Sequence, residues 1–557
     1  MRQLDPQPVH VGTQLQGSGR RVAFGPILWR MPPTQGPTSG VRLAELLTVL
    51  ALGADLGMGQ PMEHATRQCV LALRIGERVG LDEAQRGVLY YVSLIAWVGC
   101  HIDAYEQAKW FGDDLALKGG FRQVDPVGLR AFGGFLDAIG TGRHGVDRAV
   151  HTLRFFAAGT RDASAMLHNH AYAADQLAAD LGLSNDVRGA VAQTFERWDG
   201  RGAPQGARTN DITLPARIVN LADVLAVFHL AAGPDAAVDV AKQRSGTQFD
   251  PALVDVVAGD SELLFADIDQ AATWDAIIGA EPALTPMFTE PQLDDALSAI
   301  GDFVDIKSPY TLGHTRAVTE LVAAAATEMS WPASSVTHAR RAALLHDLGR
   351  LGVSNAVWDK PGELTPTEVE RIRLYPYLTD RMLACSPGLA ALGATAAQHQ
   401  ERLDGSGYPH GLRGDAITPA GRLLAAADTY VAKTEPRPHR PTMSPAEAAS
   451  HLRDEVRAGR QDAASVDAVL TAAGHRVRRR REWPSGLTTR EVEVLRLLSR
   501  GLSNKQIAER LVVSRKTVGN HVEHIYAKLG VSNRARASLF AVRHGLIVPA
   551  EDEEFTS

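Results

Sequence analysis

An all-α chain is predicted, with two tandem helical bundles followed by a C-terminal four-helix region holding a helix-turn-helix, and three observations predict it. Ala- and Leu-rich segments at helical spacing outnumber alternating β-branched runs. Two long regions agree with each other at constant offsets. Short helices with cap residues in the right order close the chain. At 557 residues there is room for about three or four domains of roughly 150 residues. A hydrophobic content of 45% with 22% charge fits a soluble, core-forming chain rather than a disordered one.

Residues 1–40, rich in Gly, Pro and Gln without periodicity, read as a flexible tail. A first helical domain is expected over 41–264, a linker over 265–290 and a second helical domain over 291–474. Glu196-Arg-Trp-Asp-Gly-Arg-Gly-Ala-Pro204 matches Glu401-Arg-Leu-Asp-Gly-Ser-Gly-Tyr-Pro409 at an offset of 205 (401 − 196), and Asp223 meets Asp428 at the same offset. Upstream, His64 meets His314 and Ser93–Gly99 meets Ala343–Gly349 at an offset of 250 (314 − 64). The region is a tandem duplication. The difference of 45 (250 − 205) is an insertion in the first copy between Cys100 and about Thr160. A basic linker over 475–485, containing Arg476-Val-Arg-Arg-Arg-Arg481, leads into the region 486–548, and 549–557 form an acidic tail.

The net charge of −6 does not suggest a nucleic-acid binder, but an average can hide a local basic segment, and the C-terminal end is one. Three scattered cysteines, Cys69, Cys100 and Cys385, fit a reducing cytosol and argue against a disulfide scaffold or zinc ribbon. No apolar run reaches about 18 residues without charge, and the N-terminus lacks signal-peptide order. A cytoplasmic protein without membrane attachment is expected.

The stretch Arg341-Ala-Ala-Leu-Leu-His-Asp-Leu-Gly-Arg350 delivers an adjacent imidazole and carboxylate to a glycine-containing helix end. Such a pair supplies borderline-soft and hard donors to a divalent cation, provided other elements bring the remaining ligands. His314, His346, Asp347, His399 and Asp428 lie in separate helical segments beside small or apolar residues, and a bundle core can gather them onto one ion. This order, with Lys360-Pro-Gly-Glu-Leu364 and Asp404-Gly-Ser-Gly-Tyr-Pro409, resembles the HD-GYP branch of the HD phosphohydrolase superfamily over about 309–474.

The resemblance implies an all-helical domain with two or three clustered metals, usually iron or manganese, that hydrolyses a phosphodiester of cyclic di-guanylate. By the same resemblance His314, His346, Asp347 and Asp428 fall on the four ligands shared across the superfamily, and His399 on the first of the branch's paired histidines. Tyr375 stands where the branch has a metal-binding histidine, Gln400 at the second of the pair, Arg350 at its lysine, and Tyr310 at a glutamate. Four ligands hold one metal with open positions, so one divalent ion (Fe, Mn or other) is expected, with weak or no phosphodiesterase activity. Asp347 and Arg350 are the candidate catalytic residues. Arg437 and Arg440 match positions that grip substrate phosphate, a job that suits arginine's planar fork. A nucleotide or other phosphorylated small molecule is the expected ligand. In the first copy Ala96-Trp97 replaces the His-Asp pair and Thr194-Phe195 the paired histidines; His64, His170 and Asp223 survive, and that copy reads as scaffold or sensor.

At the C-terminal end, Thr488-Thr-Arg-Glu491 is a capping box before Val492–Leu498. Ser503 caps Asn504–Leu511, Ser514 caps Arg515–Leu529, Gly530 closes that helix, and a last helix begins at Asn533. Val518, Val522, Ile525 and Leu529 make one apolar stripe, opposite Arg515, Lys516, Asn520, His524 and Lys528. Lys505, Lys516, Lys528, Arg534, Arg536 and Arg543 make this end basic, as contact with double-stranded DNA requires. The strings Leu487–Leu498, Gly501–Ala508 and Ser514–Val522 closely resemble the LuxR-type transcriptional regulators. The resemblance implies a recognition helix in the major groove, with Lys505, Ser514, Arg515, Lys516, Thr517, Asn520, His521, Glu523, His524 and Lys528 as candidate DNA contacts, and binding as a homodimer. Two functions follow from the whole chain: a transcriptional regulator whose HD-type region senses a metal-bound or phosphorylated ligand, or a metal-dependent phosphohydrolase that its DNA-binding end localises.

Overall fold

The protein is described by a computed structural model over residues 40–121, 136–141, 144–281, 287–474 and 483–547. The expected N-terminal tail up to residue 39, most of the basic linker and the acidic tail lie outside the described residues. Among the described residues the regular structure is helical, with only isolated bridges such as Asp404 with Arg413.

The principal helices of the first copy are α1 (Leu43–Gly57), α2 (His64–Arg78), α3 (Glu83–Ile95), α4 (Thr160–Asp180) and α5 (Leu214–Gln243). Those of the second are α6 (Glu290–Asp305), α7 (His314–Glu328), α8 (Ala333–Leu345), α9 (Tyr375–Leu383) and α10 (Pro419–Thr434). The last four are α11 (Thr489–Ser499), α12 (Asn504–Arg510), α13 (Arg515–Leu529) and α14 (Arg534–Arg543). The duplication is written into the helix ends. Both bounds of α2 recur in α7, and both bounds of α3 in α8, at 250 (314 − 64 and 333 − 83). Asn185–Val191 recurs as Ala390–Ala396, and the start of α5 as the start of α10, at 205 (390 − 185 and 419 − 214).

Local chemistry explains the boundaries. Asp82 and Thr289 close capping boxes at the starts of α3 and α6, and Thr418 caps α10 ahead of Pro419. Helix α5 is broken at Gly233 (φ 87°), followed by Pro234, which has no N–H to continue the ladder. Its 18-residue apolar window, mean hydropathy 1.4, is long enough to cross a membrane, although Arg217 and Asp223 interrupt the first half and the helix packs on α2 and α3.

Each copy lends its first helix to the other. Helix α1, buried along nearly its whole length, packs on α2 and α3 and also on α9 and the 3-10 turn Leu348–Gly352 of the second copy. A Cβ on Gly53 would lie 2.7 Å from Leu351 Cδ1, so the absence of a side chain there sets the closeness of this contact. In return α6 packs on α4, and His101 Nε2 bonds the Phe303 carbonyl at 2.8 Å. One apolar core consequently runs from Val41 through Leu351 and Met382 to Ile547. A second core, around Val322, Leu424 and Val469, lies within the second copy. The insertion in the first copy contributes Asp114, which accepts from Ser354 Oγ at 2.6 Å and Asn355 N at 2.8 Å beside the second copy's centre.

Leu351 is 1% exposed in the shared core. Leu351→Ala is expected to destabilise the chain by about 2–5 kcal/mol. Calorimetry checks this: the melting of both copies shifts down together, whereas a shift confined to one of two separate transitions would contradict a shared core.

Candidate metal centre and DNA-reading helix

Four elements of the second copy converge on one buried spot. His314 opens α7 behind Gly313, whose φ of +80° turns the chain into the helix. His346 and Asp347 leave the end of α8, and the 3-10 turn that follows comes so close to α9 that a Cβ on Gly349 would overlap the Tyr375 carbonyl oxygen. His399 sits in the short turn Ala397–Gln400, and Asp428 in the middle of α10. All five are buried.

The hydrogen bonds fix which nitrogen faces the centre. His346 Nδ1 donates to the Ala343 carbonyl at 2.7 Å, leaving an Nε2 lone pair that is buried and without a hydrogen-bond partner, 3.6 Å from Asp347 Oδ1 and 3.8 Å from Asp428 Oδ1. His399 Nδ1 likewise donates to the Ala396 carbonyl at 2.7 Å, but its Nε2 accepts from the Tyr375 hydroxyl at 2.5 Å. His314 lies between carboxylates, Nδ1 2.9 Å from Glu435 Oε2 and Nε2 3.2 Å from Asp428 Oδ1. Asp428 Oδ2 also accepts from Gln400 Nε2 at 3.0 Å. Ligand atoms of His314, His346 and Asp347 all lie within 4.8 Å of one another, a spacing that one cation can span.

The electrostatics agree with a cation site. Burial alone would raise the Asp347 carboxyl, but the Arg350 guanidinium, donating at 2.7 Å, and the imidazoles of His346 and His314 outweigh it and hold it well below the usual range. Asp428 is likewise brought down to about 2 against burial, by the bond from His314 and the charges of His399 and His314. Burial opposes a charge on His314, yet Glu435 and Asp428 raise it to about 10. His399 goes the other way, to about 4, chiefly through burial. A proton and a divalent cation would therefore compete for the same His314 nitrogen.

The residues fit one divalent metal, which His314, His346, Asp347 and Asp428 would hold. Such an ion lowers the pKa of a bound water and polarises a phosphoryl oxygen. His399 belongs to the cluster, but Tyr375 occupies its inward nitrogen, and Gln400 occupies Asp428 Oδ2. Arg350 pins Asp347 and stacks over Trp358 at 4.1 Å. The two candidate phosphate grips are engaged otherwise. Arg437 pairs with Glu435 at 2.9 Å and bonds the Tyr310 carbonyl, while Arg440 bonds the Ala432 and Lys433 carbonyls at the end of α10, where helix dipole and orphan carbonyls attract a cation. Sequence reasoning missed Glu435, the partner of His314, although it follows the end of α10 directly, and Asp305, whose burial raises it to about 8 while it accepts from Thr315 N and Oγ1. In the first copy His64 Nε2 keeps its bond to Asp223 at 2.9 Å, but Trp97 and Phe195, 5.4 Å apart edge to face, fill the place of the other ligands.

The C-terminal helices carry their caps where the sequence places them. Thr488 and Ser503 close capping boxes, Ser514 accepts from Thr517 N at 3.0 Å, and Gly530 ends α13 in the left-handed conformation. Val518, Val522 and Ile525 are buried, while Arg515, Lys516, Asn520, Glu523 and His524 are exposed along the outer face of α13 and His521 and Thr517 are half-buried. Lys505 is exposed near Glu509, at 3.8 Å. Lys528 turns back to Glu491 at 2.7 Å and the Gly486 carbonyl at 3.0 Å. Arg536 and Arg543, counted in the sequence among the cations for phosphate, face the HD body instead: Arg536 lies 3.8 Å above the Tyr172 ring and Arg543 bonds Gln176 Oε1 at 2.8 Å and Asp180.

Titration with Mn2+, followed by calorimetry, is expected to show one strong site. His346→Ala and Asp347→Ala should each weaken it by about a hundredfold, and His399→Ala by no more than a few-fold, since ligand loss is costly only where the donor is free to bind. Equal losses at all three positions would count against the one-metal set.

Comparison with known proteins follows the same division. The family model described as HD domain matches residues 158–253 and 299–464, and the one described as bacterial regulatory proteins, luxR family, matches 485–541. A protein of Vibrio cholerae serotype O1 named 3'3'-cGAMP-specific phosphodiesterase 3 is 31% identical over 410 residues, 72% of this chain and 88% of its own length. Transcriptional regulatory protein LnrK of Bacillus subtilis is 50% identical over 62 residues, 11% of this chain and 28% of its own. A crystal structure of a cyclic GMP-AMP-specific phosphodiesterase of V. cholerae superposes with a TM-score of 0.54 at 26% identity, covering 78% of this chain and 98% of that one. With two HD segments, the first lacking the His-Asp pair, and a luxR-type helix-turn-helix behind them, the chain belongs to the HD phosphohydrolase family, in an HD-GYP-like form fused to a LuxR-type DNA-binding domain.

Proposed function

We propose that this chain is a DNA-binding transcriptional regulator whose HD body senses a divalent metal or a metal-bound phosphorylated ligand, acting in the cytoplasm and binding DNA as a homodimer. The observation that carries the reading is the contrast between its two sites. The reading face of α13 is exposed and correctly capped, whereas Tyr375 and Gln400 take up the donors a second metal would need. A two-metal clamp stabilises both attacking and leaving oxygens of a phosphodiester, and a site limited to one ion lacks that clamp. The domain layout expected from sequence, 41–264, 291–474 and 486–548, serves this reading as sensor body and output.

A second reading is favoured by one specific observation. The relative that shares 31% identity over 88% of its length is named a 3'3'-cGAMP-specific phosphodiesterase. On that reading the second copy hydrolyses a cyclic dinucleotide, with Asp347 holding the ion and Arg350 orienting Asp347.

Gel shifts on a fragment of the protein's own promoter separate the two. On the regulator reading, deletion of residues 486–557 abolishes the shift, and Lys516→Ala weakens binding and lowers the slope of log affinity against log salt by about one. Absence of any shift, with 3'3'-cGAMP turnover that Asp347→Ala eliminates, would make the enzyme the correct reading.

A further inference from the structure

The DNA-binding domain grips the loop that delivers His314. Pro309 opens that loop and Gly313 closes it. Gly501, in the turn between α11 and α12, approaches Pro309 so that its Cβ would sit 3.5 Å from the proline ring. At the other end a Cβ on Gly313 would overlap the Ile547 carbonyl oxygen, just beyond α14. From the opposite side Arg437 bonds the Tyr310 carbonyl and pairs with Glu435, the residue that holds His314 Nδ1. The loop is thus held between the candidate metal centre and the DNA-binding domain.

The rest of the docking combines buried apolar side chains of the shared core, such as Ile306, Leu539 and Ile547, with polar contacts. Arg543 joins Asp180 and Gln176 of α4, and Arg316 of α7 pairs with Asp302 and donates to the Arg543 carbonyl at 3.2 Å. Asn533, the N-cap of α14, donates to Asn169 Oδ1 at 2.8 Å, and Asn169 in turn donates to Asp103 at 3.1 Å. A cavity of about 10 Å³, the size of a single water, lies at this seam between Ile102, Ile306 and Leu539. Ion pairs and hydrogen bonds are the part of such an interface that water replaces at small cost, and relative motion is the ordinary behaviour of domains joined in this way.

We propose that this seam is a latch: the docked DNA-binding domain is one of two states of the chain, and the loop from Pro309 to Gly313 couples its release to what the metal centre holds. The proposal rests on the regulator reading for its function, though not for its geometry. A ligand biases such an equilibrium only through contacts that differ between the states, and the loop before His314 supplies them.

The test uses the full chain with Arg543→Gln and, from the other side of the seam, Asp180→Asn, so that it does not depend on one variant folding. Small-angle scattering is expected to show a larger radius of gyration for both than for wild type. On a random-sequence duplex both should bind about tenfold more tightly, although Arg543→Gln has lost a cation. Mn2+ alone should shift the wild-type affinity by at least about fivefold, the lower end of usual couplings, and leave the variants unchanged. Unchanged scattering and DNA affinity in both variants overturn the latch, and an equal Mn2+ response in wild type and variants overturns the coupling. If no protein binds DNA, the regulator reading falls, and scattering alone then decides for or against the latch.

Discussion

Two carboxylates, Asp347 and Asp428, are buried side by side in the second copy, and much of that copy's centre answers the need to compensate them. An ionised carboxylate in a low-dielectric interior is costly unless it is paired and hydrogen-bonded. Arg350 and the imidazoles of His314, His346 and His399 surround the pair, and Glu435 gives His314 a further anchor on its far side. The same arrangement that stabilises two negative charges offers them to a cation, so a structural requirement and a binding capacity have one origin.

The substitutions at Tyr375 and Gln400 show how a centre can narrow its chemistry without losing its fold. A phenol and an amide are hydrogen-bonding side chains in positions where the branch uses imidazole, and each finds a partner in the cluster, His399 and Asp428. Tyr375 and Gln400 are thereby hydrogen-bonded themselves, while the donors they occupy are withdrawn from metal.

Much of the architecture was legible in the sequence because it rests on short-range rules. The offsets of 205 and 250 reappear in helix bounds, since each repeat keeps its own caps and breakers, such as Asp82 and Thr289. Helix-turn-helix caps at Thr488, Ser503 and Ser514 were legible for the same reason. The centre was legible as a set of residues but not as a network. Glu435 and His314 are 121 residues apart, and nothing local in Glu435 announces the bond. Arg440 and Arg437 matched a motif whose function depends on where the guanidinium points, which the end of α10 and Glu435 decide. The docking of α14 was hidden too, because the cations that mark a DNA-binding helix are the same residue types that pair with Asp180 and stack on Tyr172.

The aromatic pair Trp97 and Phe195 gives the first copy a property its twin lacks. Where the second copy gathers its helices around charged groups suited to an ion, the first gathers them around rings, and its cohesion there owes nothing to metal supply. Helix α4 of that copy carries Asp180 and Gln176, to which the DNA-binding domain is tied. On the proposed regulator reading, an empty metal centre would leave the frame that carries α4 in place, a fixed reference against which a metal-responsive switch can move.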